Sequence, residues 1–184
     1  MSYAGNFLKA AGYPCTILRE VPVESYVSRR KASRSIQKGE FFWEGLILAD
    51  TGLESGDILQ VGDDKFLVHY VYASSGELAW NAVKTNVTLE VKRFVETVDD
   101  EGNFIQDWQT IASGITGFGE VVTAALRQAD PGLLSSTKLI LQIPKSYNVQ
   151  QMDRVIVNGN YQVDSVDDIL IQGVARLQLS EDLR

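Results

Sequence analysis

A strand-turn-strand pattern occurs twice in this chain, and a repeat restricts architecture more than any isolated motif does. Asp57-Ile58-Leu59-Gln60-Val61, a Gly62-Asp63-Asp64-Lys65 turn and Phe66-Leu67-Val68-His69-Tyr70-Val71 are echoed by Asp153-Arg154-Val155-Ile156-Val157, an Asn158-Gly159-Asn160 turn and Tyr161-Gln162-Val163-Asp164-Ser165-Val166. The offset is 153 minus 57, or 96 residues, before the turn and 161 minus 66, or 95, after it. One residue gained or lost inside a turn is what a hairpin tolerates. Alternating apolar residues closed by a Gly-containing turn predict a β-hairpin in each place. Valine is common in any strand, but turn and strand signals matching together favour a duplication. The duplication places Val61, Phe66, Val68 and Val71 at core positions equivalent to Val157, Tyr161, Val163 and Val166.

A chain of 184 residues with 45% hydrophobic content supplies a core for one ordinary domain or for two small barrels in tandem. The single cysteine, Cys15, cannot form an intrachain disulfide, and no basic region followed by an apolar run marks a signal peptide near Met1. Folding in a reducing cytoplasm is the expectation. No uncharged stretch approaches the ~20 apolar residues of a spanning helix, so no membrane partner is expected. A net charge of -7 opposes a general phosphate-binding surface, because affinity for nucleic acid rests on Lys and Arg releasing counterions. An acidic wall can still face DNA that has to slide past it.

Along the chain, residues 3–11 predict a short amphipathic helix ended by Gly12 and Pro14, and 15–23 a strand. Residues 24–40 lack a strong period and read as a long loop or arm. Strands are expected at 41–48, 77–83 and 87–95, the last with one slip that a bulge would explain. Residues 99–103 form a strong turn signal, and 104–111 return as a partner strand carrying Trp108. Gly114, Gly117 and Gly119 are read as breaking the chain before a helix marked by Val121, Val122, Ala125, Leu126 and Ala129. Strands follow at 139–143 and 173–179. Short strands spaced by roughly ten residues predict a mainly β fold built of small β-barrels, a duplicated SH3-like barrel being one form of it. One or two short helices and a long N-terminal arm or loop complete the expectation. The division expected is a first barrel over 1–112 with a basic loop at 24–40, then a short helix and second hairpin or barrel unit over 113–184, packed as one compact body.

Chemistry-bearing residues are few. His69 is the chain's only histidine and lies inside a predicted strand, where a barrel or surface role suits it better than proton transfer. A Cys15–His69 nucleophile pair would require the two to meet in the fold with a third, orienting group. The acidic runs 99–103 and 164–168 lack the twelve-residue spacing of a calcium loop and read as solvated turns. Gly114-Ile115-Thr116-Gly117-Phe118-Gly119 precedes a predicted helix without the Gly-Lys-Ser/Thr ending of a phosphate loop. No catalytic residue, metal site or cofactor is expected. Against the acidic background, Arg29, Arg30, Lys31, Arg34 and Lys38 fall within an acid-free stretch from 28 to 38. That stretch is a solvated loop, a contact to acidic neighbours across a subunit boundary, or a contact to DNA. Trp43, Trp80 and Trp108 are candidates for interface anchors or for the core.

The second hairpin, Met152-Asp153-Arg154-Val155-Ile156-Val157-Asn158-Gly159-Asn160-Tyr161-Gln162-Val163-Asp164-Ser165-Val166, resembles the Asp-Arg-Val, turn, Tyr-x-Val core of bacteriophage head-closure proteins, also called stoppers or head-tail joining proteins. The resemblance covers about fifteen residues, with an echo at 57–71. It implies a small β-barrel that assembles as a homo-oligomeric ring, a hexamer or dodecamer, in the virion neck beneath the portal or its adaptor. Its implied partners are further copies of itself, portal or adaptor proteins, tail proteins, and DNA that passes through the lumen without sequence-specific binding. Family members are commonly one barrel, whereas this chain is read as two. Alternatives are another phage ring component such as a tail terminator, tail-tube or baseplate protein, a small Mg²⁺-dependent hydrolase, and a barrel that binds single strands through Phe41, Phe42 and Trp43.

Overall fold

The computed structural model describes residues 3–32, 41–98 and 101–184. Its strands are β1 (Tyr13–Leu18), β2 (Val23–Val27), β3 (Arg30–Lys31), β4 (Phe42–Leu48), β5 (Ile58–Val61), β6 (Asp64–Ser74), β7 (Glu77–Lys84), β8 (Val87–Val98), β9 (Phe104–Val121), β10 (Leu139–Pro144), β11 (Arg154–Ile156), β12 (Asn160–Asp167) and β13 (Val174–Glu181). Two short helices, α1 (Tyr3–Ala11) and α2 (Ala124–Ala129), accompany them. The fold is mainly β, with two closed six-stranded barrels. The chain divides into one unit of Met1–Asn86 with Asp168–Val174 and a second of Val87–Asp167 with Ala175–Arg184.

That division falls at 86/87 rather than at the 112/113 read from sequence. The glycines at 114, 117 and 119 were the misleading signal, because β9 runs through all three to Val121. Gly114, at φ +67°, occupies a bulge between the Leu89–Ile115 and Val91–Ala112 pairs, and a Cβ on Gly117 would lie 2.7 Å from the Gln142 carbonyl oxygen. These glycines let one strand bend and a neighbour approach. The helix after them is confined to α2. The strand expected over 15–23 is split by a turn at 19–22 into β1 and β2, so the loop expected over 24–40 is in part strand.

Around the first barrel the strands run β2-β1-β5-β6-β7-β4, and a Val27–Ile47 pairing of β2 with β4 closes it, with β3 on the outer side of β4. Around the second they run β9-β8-β11-β12-β13-β10. Numbered from the start of each barrel, with β3 set aside, the two orders are identical: 2-1-4-5-6-3. The repeated hairpins, β5–β6 and β11–β12, occupy equivalent places. Leu59 pairs with Phe66 and Ile17 in the first, and Val155 with Tyr161 and Val91 in the second. A bulge follows at His69 in β6 and at Asp164 in β12. The duplication thus extends from the hairpin to whole barrels.

Each barrel has its own core. Ile17, Val27, Ile47, Leu59, Phe66, Val68 and Trp80 fill the first, and Val91, Ile115, Leu141, Ile143, Val155, Val163, Leu177 and Leu179 the second. All eight hairpin positions expected at the core are there: Val61, Phe66, Val68, Val157 and Val163 are buried, and Val71, Tyr161 and Val166 pack half-buried against the same clusters. Burying each such side chain contributes about 2 kcal/mol. At the closing seam of the first barrel, a Cβ on Gly45 would collide with the Ser28 carbonyl oxygen and touch the Trp80 ring. Gly45→Ala is expected to lower unfolding stability by about 1–3 kcal/mol, read as a lower urea midpoint. An unchanged midpoint would mean that the seam yields without cost.

Candidate interaction site

The repeat carries a polar device that explains why each hairpin opens with Asp. The Asp153 carboxylate accepts from Arg93 Nε and Nη2, both at 2.8 Å, and from the Gln150 amide at 2.8 Å. Asp57 does the same with Arg19 Nε at 2.8 Å, Arg19 Nη2 at 2.5 Å and the Glu54 amide at 2.7 Å. Each arginine also donates to the carbonyl of a left-handed residue, Gly52 for Arg19 and Asn148 for Arg93. Gly52 and Asn148 are 96 residues apart, and each ends a 3₁₀ turn. Hydrogen bonding to the carboxylates raises the pKa of both guanidiniums against the opposing effect of burial. These clamps pin the chain path between strands and are structural.

Residues 94–98 and 101–109 form an asymmetry between the barrels. In the first, Tyr13 pairs with Val27 across 14 residues, and in the second Val87 pairs with Gly117 across 30. The additional length is a two-stranded ribbon: β11 pairs with β8 only at 90–92 and β10 with β9 only at 118–121, so the ribbon's strands pair with each other alone among the described residues. Phe94 pairs with Trp108, Glu96 with Gln106 and Val98 with Phe104, which sets these six side chains on one face by the alternation of a strand. Phe94, Val98 and Phe104 on that face are exposed, Phe104 by 74%.

Trp108 anchors the root of the ribbon. Its ring meets Phe94 edge-on at 5.4 Å, while the guanidiniums of Arg154 and Arg184 lie 3.9 and 5.0 Å from its centroid. Both arginines bind Asp182, Arg154 Nε at 2.6 Å and Arg184 Nε at 3.0 Å. Burial pushes the Asp182 carboxyl up, and the hydrogen bonds from Arg184 and Arg154 overcome this to hold it at about 2. Its folded pKa is below the ordinary carboxylate value, so the carboxylate's stabilisation is complete above about pH 4 and is lost as pH falls toward 2. About 2 kcal/mol is at stake. Acid titration of Asp182→Asn should lack that component of the wild-type loss between pH 4 and 2. Identical acid curves would remove this assignment.

Of the basic segment expected as a long loop or arm, the described part, residues 28–32, includes strand β3 and runs along the barrel. Arg29 lies against the barrel: its guanidinium is 5.0 Å from the Tyr13 ring centroid, 5.4 Å from Trp43 and 5.9 Å from Phe66, and it donates to Asp64 at 3.0 Å. A cation with three ring faces and a carboxylate beside it is held in place. Lys84 also binds Asp64, and these bonds, Lys84 foremost, hold that carboxylate below its ordinary pKa. Arg30 and Lys31 form β3, where Arg30 Nε donates to Glu44 at 2.8 Å and the Lys31 ammonium lies 6.0 Å from the Trp43 centroid. Arg34 and Lys38 lie outside the described residues.

Cys15 packs in the first core, and burial pushes its thiol up to about 11, which keeps it protonated and a poor nucleophile at neutral pH. His69 is buried in the β6 bulge, edge-on to Phe42 and Tyr70 at 6.4 Å each. Asp164 accepts from Ser136, Gln162 and Ser180, a role in tying strands together. Among the described residues, no group of three His, Cys, Asp or Glu is placed to hold a metal. Nor is any described helix long and apolar enough to cross a membrane. Of the tryptophans, Trp80 is core, Trp43 packs half-buried against it, and Trp108 roots the ribbon. The ribbon went unread as a site because its two halves look like ordinary alternating strands. The signal that could have found it is their length together with aromatic residues on one face. In comparisons with known proteins, no family model and no curated protein matches the chain.

Proposed function

We propose that this protein is a structural subunit of a tailed-phage neck, a head-closure or stopper protein. It assembles as a hexameric or dodecameric ring in the virion, joins portal or adaptor to tail and helps retain DNA. The observation that carries this reading is the ribbon. A two-stranded extension that leaves Phe94, Val98 and Phe104 in water serves an assembling subunit and would be a liability on a free-standing domain. The resemblance of the Asp153–Val166 hairpin to the family's core supports it, as does a net charge of -7 suited to a lumen that DNA must slip through. On this reading the chain is non-enzymatic.

Loss of this chain from a phage that encodes it should leave heads that package DNA and then release it without joining tails. Electron microscopy of lysates reads this directly. Normal tailed particles without the chain would overturn the proposal, and metal-dependent turnover of a phosphodiester or peptide by the pure protein would overturn its non-enzymatic part.

A further inference from the structure

Two segments of the chain each carry charge of a single sign. Residues 94–109 carry five acidic side chains, Glu96, Asp99, Asp100, Glu101 and Asp107, and no basic one. Residues 28–38 carry five basic side chains and no acidic one. The described part of the acidic segment, residues 94–98 and 101–109, is the ribbon of the second barrel, with Glu96 and Glu101 exposed. The basic segment includes β3, which ends the first barrel's sheet and pairs among the described residues with β4 alone. An edge strand offers unpaired backbone groups, and a β-ribbon can satisfy them.

We infer that the ribbon of one copy docks on the β3 edge of the next, a contact between unlike surfaces that repeats head to tail. The inference rests on the reading of the chain as a ring subunit and supplies the contact that builds the ring. Charge complementarity selects the occupant, since a segment of acidic sequence meets one of basic sequence, with Glu96 and Glu101 facing Arg30 and Lys31 in the contact. The apolar face is served too: Tyr13 is exposed and Trp43 half-buried around Arg29, a ring-lined surface for Phe94, Val98 and Phe104. Arg29 is engaged by Asp64 and Arg30 by Glu44, but the Arg30 side chain is 80% exposed and still open to a second carboxylate, so Arg30 and Lys31 lead the basic contribution. A contact between unlike surfaces closes into a ring when its rotation divides the circle. The duplicated barrel makes this possible because only one of its halves bears the ribbon.

Charge exchange tests the contact. Glu96→Lys with Glu101→Lys reverses the ribbon, and Arg30→Glu with Lys31→Glu reverses the edge, all at the surface. Each pair alone should weaken self-association roughly tenfold or more in sedimentation velocity; the ribbon pair should leave the melting temperature unchanged, whereas the edge pair, which sets a glutamate opposite Glu44, should lower it slightly. Mixing the two variants should restore association, because each ribbon then finds an edge of opposite charge on the other protein. The four substitutions in one chain should restore it as well. Raising the salt should weaken the wild-type contact. Wild-type rings indifferent to both reversals would overturn this contact and leave the ring reading standing. A wild-type chain that never associates with itself would overturn both.

Discussion

Removing the Asp153 carboxylate is expected to destabilise the second barrel by about 3 kcal/mol. The side chain is 2% exposed, accepts two hydrogen bonds from Arg93 and one from the Gln150 amide, and leaves all three donors unmatched when truncated. The equivalent change in the first barrel, Asp57→Ala, should cost roughly half as much, because Asp57 is 13% and Arg19 32% exposed and water replaces part of what is lost. Denaturant unfolding followed by tryptophan fluorescence separates the two, since Trp43 and Trp80 report on the first barrel and Trp108 on the second. A larger loss for Asp57→Ala than for Asp153→Ala would show that burial does not set the strength of these clamps.

The pair of clamps also indicates what a duplicated barrel must retain. Between the third and fourth strands of each barrel the chain makes a 3₁₀ turn, passes through a left-handed residue and enters the repeated hairpin. That route leaves a carbonyl and an amide turned away from the strand ladders, and the Arg–Asp pair satisfies both. Glycine at 52 and asparagine at 148 are two answers to the same demand, as both residue types tolerate a positive φ. Leu53 and Val149, which follow them, are both buried. The common requirement is geometric, and residue identity drifts within it.

The repeated hairpin was legible because its strands, turn and opening Asp all lie within about fifteen residues, so a single offset aligns them. Arg19 and Arg93 were not, because they are 93 minus 19, or 74, residues apart while their aspartates are 96 apart. The ribbon accounts for most of that discrepancy, adding 30 minus 14, or 16, residues to one hairpin. The same insertion led the first two strands of the second barrel, both read as strands, to be counted with the first barrel, and moved the second's apparent start toward 113. Glycines read as breakers were strand positions at a bulge and a seam, a distinction that depends on which backbone comes near. The charge of the segment at 28–38 was plain in sequence. The placement of Arg29 against three rings was not, since Tyr13, Trp43 and Phe66 converge only after the barrel closes.

Equivalent positions in the two hairpins need not contribute equally, and Phe66→Ala against Tyr161→Ala measures the difference. Phe66 is fully buried, 5.6 Å from the Trp43 ring centroid and 6.2 Å from that of Trp80, and its truncation opens a cavity amid rigid aromatic neighbours that relax little. A cost of about 4 kcal/mol is expected, enough to unfold a marginal domain. Tyr161 is only half-buried against its core, so water can reach the space it leaves and roughly 1–2 kcal/mol should be lost. Urea midpoints of the two variants, compared with wild type, give the ratio. Equal costs would mean that position in the repeat, rather than the packing each barrel has built around it, governs stability.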